Sequence, residues 1–288
     1  MPLKNKKILV TGADGFIGSH LTEELIRQGH DVRAFVMYNS FSSWGWLDES
    51  PKQLKDRLDI FAGDIRDPHG VKTAMQGCDI VLHLASHVVG ARTPEVVLST
   101  YHSNLTSTLH LLMAAKAYGC ERVVLTGSLE EPDPDTGSPV PSSPYAAAKA
   151  AASAYGRMFH ALFGLSVVIL RVFMVYGPGQ ADLKKLVPYV ITSLDRGEVP
   201  TFSSGAREVD WVYVDDVVRA YELAGLVQGA DGQTIDVGSG TFASVREVVE
   251  MLFSLMKAAK PPVFDGAQDR MMEQVRLADV EASGRILG

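Results

Sequence analysis

The chain has 288 residues, 46% hydrophobic and 21% charged, which suits one large globular α/β domain or one domain with a smaller lobe. A net charge of -7, with no basic run and no interleaving of aromatic and basic residues, argues against nucleic acid as a partner, though not against a phosphorylated small ligand. The two cysteines, Cys78 and Cys120, have no metal-ligand spacing, and the strongest apolar run, "LSVVILRVFMVYG", is broken by Arg171 and too short to cross a bilayer, so the expectation is a cytoplasmic protein in a reducing setting, with no metal and no membrane partner.

In chain order, "KKILVTG" is a β-branched run ending in turn residues and reads as a buried first strand. "FIGSHLTEELIRQGH" follows with helical spacing. "DVRAFVM" is a second strand, "LDIFAGDI" a third, "VKTAMQGC" a helix and "DIVLHLAS" a fourth strand. A long helix, "NLTSTLHLLMAAKAYG", precedes the fifth strand, "RVVLTGS". "YAAAKAAASAYGRMFHALFG" is helical again, and "SVVILRVFMVYG" is the sixth strand. Strands alternating with helices predict an α/β, Rossmann-like doubly wound parallel sheet over residues 1–176. From residue 177 the pattern loosens, so 177–288 is expected to form mainly a small C-terminal lobe, with the short strand "TIDVGSG" returning to the main sheet.

"TGADGFIGSHL" carries Gly12, Gly15 and Gly18 directly after the first strand and at the opening of a helix. Glycines permit the tight turn and a close backbone approach, and the helix N-terminus offers its amides and positive dipole end to a pyrophosphate. Asp14, Phe16 and Ile17 complete that turn. An NAD-selective site places an acid at the end of the second strand to bind the ribose 2′-hydroxyl. Here that end reads Val36, Met37, Tyr38, Asn39, Ser40, without an acid, so NAD or NADP remains open with a tilt to NADP, and Asn39 and Ser40 are the residues in place. Asp64 and Ile65 in "GDIRD" stand where an adenine would lie, whereas Asp67 also suits a helix N-cap. Tyr145 and Lys149 lie four apart and share a helix face otherwise built from alanine, where a neighbouring ammonium favours the tyrosine phenolate.

TGADGFIG, GDIRD, HLAS, Asn104, Ser128 and the Tyr145-x-x-x-Lys149 pair together resemble the extended short-chain dehydrogenase/reductase superfamily, and within it the nucleotide-sugar epimerase/dehydratase branch. The resemblance runs through nearly the whole chain. It implies NAD(P), with Leu84, Ala85 and Ser86 of HLAS beside the cofactor, and a nucleoside-diphosphate sugar as substrate. It implies Tyr145 as acid/base, Lys149 as its electrostatic partner and holder of the nicotinamide ribose, Ser128 as hydrogen-bond donor to the reacting oxygen, and Asn104 as support to Lys149 through water. The implied activity is a 4-epimerase working through a 4-keto sugar. A 4,6-dehydratase or a 4-ketoreductase is the alternative, and a non-catalytic NAD(P)-sensing regulator is the alternative of another class.

Dehydratases of the branch carry Thr-Asp-Glu where this chain reads Ser128, Leu129, Glu130, so Glu130 stands at the base position while Leu129 has no proton to donate. Met174 occupies the place of a substrate-binding Asn, and Val209 that of a diphosphate-binding Arg. Arg207, two residues earlier, is expected to serve the diphosphate instead, with Arg270 as its second arginine and Arg276 left open. His87 is expected to line the substrate pocket, His83 to pack on the sheet, and Trp44 and Trp46 to form a lid or packed loop near the adenosine. The resemblance further implies a homodimer paired through the two long apolar-faced helices, and a C-terminal continuation beyond "RILG".

Overall fold

The computed structural model describes residues 6–132, 140–265 and 274–288. Strand β1 (Lys7–Thr11) alternates its side chains between two interiors, because a strand covered on both faces has no wet side. Ile8 and Val10 face one core with Leu21 and Leu25 of α1 (Phe16–Arg27), whereas Leu9 faces the other with Val71 and Met75 of α3 (Pro68–Met75). The parallel sheet continues through β2 (Asp31–Met37), β3 (Asp59–Gly63), β4 (Ile80–His83), β5 (Arg122–Ser128) and β6 (Val167–Val172). Its order, β3-β2-β1-β4-β5-β6 and then a seventh strand, β10 (Thr234–Val237), reverses direction between β1 and β4, which opens a crevice at the carboxyl ends of those strands. Short helices α2 (Lys52–Lys55) and α4 (Val97–Thr100) precede β3 and the π-helical segment Tyr101–Thr106, which runs into α5 (Ser107–Tyr118).

The longest helix, α6 (Pro144–Phe163), starts where the sequence instructs it to. Ser143 is its N-cap, accepting from the Ala146 amide at 3.0 Å, and Pro144 takes the first turn, where no amide partner is needed. The expected sixth strand is two elements. After β6, Phe173 donates its amide to Val237, and β7 (Met174–Tyr176) leaves the main sheet to pair with β9 (Glu208–Tyr213). Beyond it come α7 (Leu186–Asp195), β8 (Thr201–Phe202), α8 (Val214–Leu226), β10 (Thr234–Val237), β11 (Phe242–Ser244), α9 (Val245–Leu255), β12 (Val263–Phe264) and α10 (Val280–Leu287). Strand β10, the "TIDV" of the sequence, pairs in parallel with β6 and extends the main sheet. A separate apolar cluster of Val190, Phe202, Val249 and Phe253 joins α7, β8 and α9. Among the described residues no helix is long and apolar enough to cross a membrane.

Candidate active site

The glycine turn lies at the mouth of the crevice. Close approach explains its composition: a Cβ on Gly12 would lie 2.8 Å from the Ala85 backbone, and one on Gly18 would lie 2.0 Å from the Gly12 carbonyl. No side chain caps the N-terminus of α1 at Gly15, so the first turn of that helix faces the crevice with backbone alone. Phe16 meets His20 edge-on, and Ile17 packs on the main core. Asp14 turns toward β2, where one carboxylate oxygen accepts from the Met37 amide at 3.2 Å.

Asn39 does not present its side chain to the crevice. Its oxygen accepts from the Phe41 and Ser43 amides, and its amide group donates to Met37 and Ser43 carbonyls, so it ties its own loop together. Ser40 beside it is exposed. The Asp64 carboxylate is engaged by Arg66, Ile65 packs against the second core, and Asp67 caps α3 by accepting from His69 and Gly70 amides. Arg33 is held at the far end of β2 by Asp59, 2.9 Å away. The Gly45–Glu49 turn forms a packed loop: Trp44 packs against the main core, while Trp46 and His20 line a cavity of about 200 Å³ with Pro178 and Gly179.

At the other end of the crevice, Tyr145, Lys149 and Ser128 come together. The Lys149 ammonium lies 5.8 Å from the centre of the Tyr145 ring, and the Ser128 hydroxyl hydrogen-bonds the Tyr145 phenol. Burial raises the Tyr145 pKa well above its ordinary value, the Ser128 hydrogen bond lowers it, and the carboxylates of Glu130 and Glu131 raise it further. Burial brings Lys149 down to about 8, with Glu131 acting in the opposite sense. Lys149 donates to the Thr126 carbonyl at 3.0 Å. Glu130 receives the Ser143 hydroxyl at 3.3 Å and gives its amide to the Ser128 hydroxyl at 3.2 Å, which fixes it beside the pair. Leu129 is 7% exposed and belongs to the main hydrophobic core.

Asn104 sits in the π-helical segment and is buried. Its side chain clasps the peptide of His87, accepting from the amide at 2.7 Å and donating to the carbonyl at 3.1 Å, and also accepts from Ser86. It therefore shapes the Leu84–Ala85–Ser86 segment that runs past the crevice, and the His87 side chain is exposed beyond it. Its own carbonyl accepts from Thr108 at 2.7 Å. That leaves the Thr108 oxygen to accept from His83 Nε2, and His83 Nδ1 accepts from Thr11, whose oxygen already takes the Ala85 amide. Burial, with the Lys149 charge adding to it, brings His83 down to about 3, so it serves as a neutral spacer between the strands.

Spacing in the sequence gave no sign of two further groups. Glu131, 5% exposed, folds back beneath the strand end, and one of its oxygens accepts from the Ser128 amide at 2.9 Å and from Ser153 of α6 at 3.0 Å. An acid at the end of an apolar strand is the signal that marks it. Tyr221 of α8 is fully buried, and its phenol lies 2.5 Å from the Thr126 hydroxyl, whose proton goes to the His83 carbonyl. The substrate residues are more dispersed. Met174 is half-buried and packs on the main core. Arg207 is half-buried just before β9, its carbonyl taking the Val245 amide, while Val209 is buried. Arg270 lies outside the described residues.

A family model described as NAD dependent epimerase/dehydratase matches residues 8–238. A dTDP-glucose 4,6-dehydratase of Streptomyces niveus is 32% identical over 258 residues, covering 85% of this chain and 76% of the relative. A UDP-glucose 4-epimerase of Mycolicibacterium smegmatis is 30% identical over 289 residues, covering 96% and 91%. Among solved structures, the UDP-glucuronic acid 4-epimerase of Bacillus cereus in complex with UDP-glucuronic acid and NAD superposes with a TM-score of 0.85 at 26% identity, over 98% of this chain and 92% of the other.

Proposed function

The chain belongs to the NAD dependent epimerase/dehydratase family, and from that premise we propose that it is a nucleotide-sugar 4-epimerase acting through a transient 4-keto sugar. The residues present fit a nicotinamide dinucleotide: a Cβ at Gly12 or Gly18 would fill the cradle, and α1 begins there without a side-chain cap. When bound, the dinucleotide would supply a hydride acceptor and donor at sugar C4. Tyr145 takes the C4 hydroxyl proton, Ser128 holds that oxygen, and the Lys149 ammonium stabilises the phenolate and grips the nicotinamide ribose. Asn104 acts at one remove, by fixing Ser86 and His87. Arg207 and Arg270 are assigned to the sugar diphosphate, with Met174 and His87 in the sugar pocket.

The observation that carries the epimerase reading is Leu129. Its side chain is in the core, where a dehydratase of this branch has the acid that protonates the leaving hydroxyl. One observation favours the second reading, a 4,6-dehydratase: Glu130 lies close enough to Tyr145 to raise its pKa, a position from which it would act as base at C5. A 4-ketoreductase would exchange its reduced cofactor freely. The experiment is mass spectrometry and NMR of UDP-, dTDP-, GDP- and CDP-sugars after incubation with the protein, with and without NADH or NADPH. An isobaric product inverted at C4 supports the epimerase, and loss of one water replaces it with the dehydratase. Gain of two hydrogens on a 4-keto sugar, only with reduced cofactor, makes it a reductase. No product with any sugar, while the dinucleotide binds, favours the sensor.

A further inference from the structure

The end of β2 carries no acid in its own sequence, yet the structure puts one there from elsewhere. Asp14, within the glycine turn, extends its carboxylate over the strand end to accept from the Met37 amide at 3.2 Å. In a doubly wound fold that point is where the adenosine ribose displays its 2′-hydroxyl. We propose that Asp14 selects NAD over NADP, supplying from the glycine turn the carboxylate that the second strand lacks. The inference rests on the reading that the crevice binds a nicotinamide dinucleotide, and goes beyond it by naming the selecting residue.

Two features make Asp14 a selector rather than a passing acid. It is held by backbone as well as side chain: its carbonyl accepts from the Trp46 amide at 3.1 Å. Gly45, at φ +59, makes that contact possible, since a Cβ there would lie 2.3 Å from the same carbonyl. The backbone of Asp14 is thereby anchored, and the Met37 amide holds its carboxylate at the strand end. Burial raises the Asp14 pKa above the ordinary carboxylate value, and the Met37 amide acts against that rise without cancelling it. Lastly, no cation offsets it from the neighbouring chain. The sequence has no Lys or Arg from Thr11 to Ile26 or from Ala34 to Pro51. Arg33 is committed to Asp59 and to the Ala74 and Gln76 carbonyls, and Arg66 to Asp64. A ribose 2′-hydroxyl has a proton to donate to the remaining lone pairs of Asp14, whereas a 2′-phosphate brings like charge against it.

Isothermal titration of the full chain with NAD+ and, separately, NADP+ tests this, after any co-purifying nucleotide has been removed. The wild type is expected to bind NAD+ about ten-fold or more tightly than NADP+, as like-charge juxtaposition requires. Asp14→Asn keeps an oxygen for the Met37 amide and loses the charge, and Asp14→Ser shortens the side chain. Both are expected to narrow the ratio several-fold, mainly by tightening NADP+. Equal wild-type affinities, or a ratio unchanged in both variants, would overturn the role of Asp14 and leave the dinucleotide reading standing. A wild type that binds neither nucleotide would overturn both.

Discussion

At the scale of single residues, the site is an economy of buried charge. Lys149 is 5% exposed, and its ammonium has one carbonyl partner at 3.0 Å. Its pKa of about 8 lies below the 10.5 of the free side chain, so the unfolded chain holds the proton more tightly than the fold does. The cost of burying the charge is therefore present in full below pH 8 and fades as pH rises from about 8 to 10.5. Lys149→Met is expected to melt no lower than the wild type at pH 7, checked by calorimetry, while turnover falls by about a hundredfold or more. In the wild type, kcat/KM is expected to decline above about pH 8, where Lys149 loses its proton and Tyr145 its electrostatic partner. Glu131 acts differently: removing it orphans the Ser128 amide and the Ser153 hydroxyl together. Glu131→Ala is expected to cost about 2 kcal/mol in urea unfolding and to lower kcat more than it raises KM, because Ser128 loses its brace. Glu131→Gln, which keeps an acceptor oxygen, should recover most of the stability.

At the scale of elements, each candidate catalytic side chain depends on how its helix or strand begins or ends. Tyr145 is the second residue of α6, two positions after the Ser143 cap. Ser143→Ala is expected to destabilise the protein by about 1 kcal/mol, read in urea melts, and to reduce activity beyond that loss because the cap hydroxyl also reaches Glu130. The glycine turn, the i, i+4 pair and the Asp67 cap were legible in the sequence, since they are set by neighbours in the chain, whereas the Ser143 cap comes from the structure. What was not legible depends on distant partners. The run Ser166–Gly177 reads as one strand by its β-branched residues, but β6 stays with β10 while β7 is drawn to β9. Asn104 was expected as a site residue from the resemblance. That its side chain would clasp His87, seventeen positions earlier, follows from the π-helical segment that aims it, and no spacing rule announces such a segment. Asn39 shows the converse: its place at the strand end was plain, yet an Asn followed by Ser and Phe finds its hydrogen bonds in its own loop.

At the scale of the whole molecule, the sheet order brings the glycine turn after β1 and the Ser128 end of β5 to opposite ends of one crevice, with β4 between them. Helices α5 and α6 cover the sheet face beneath that crevice, and their inner residues Leu111, Leu112 and Phe159 pack in its core. Their outer faces are apolar too. Met113 and Tyr118 of α5 and Tyr155, Leu162 and Phe163 of α6 are all exposed, Leu162 at 71%. Exposed apolar side chains grouped on two neighbouring helices, interrupted by Lys116 and Arg157, mark a surface suited to cover. A second copy of this chain, presenting the same two helices across a two-fold axis, would provide self-complementary cover. The homodimer that the resemblance implies would have this as its surface. Light scattering at micromolar concentration is expected to give twice the chain mass for the wild type and one chain mass for the double variant Met113→Lys, Leu162→Lys. Both side chains point away from the core, so the variant should retain its far-UV circular dichroism. The consequence reaches the site, because α6 carries Tyr145 and Lys149 on the turns that precede this outer face. A monomeric variant that folds is expected to lose activity through a looser α6, seen as a lower kcat with dinucleotide affinity preserved. A wild type that scatters as a single chain would remove the dimer and leave the chemistry of the crevice untouched.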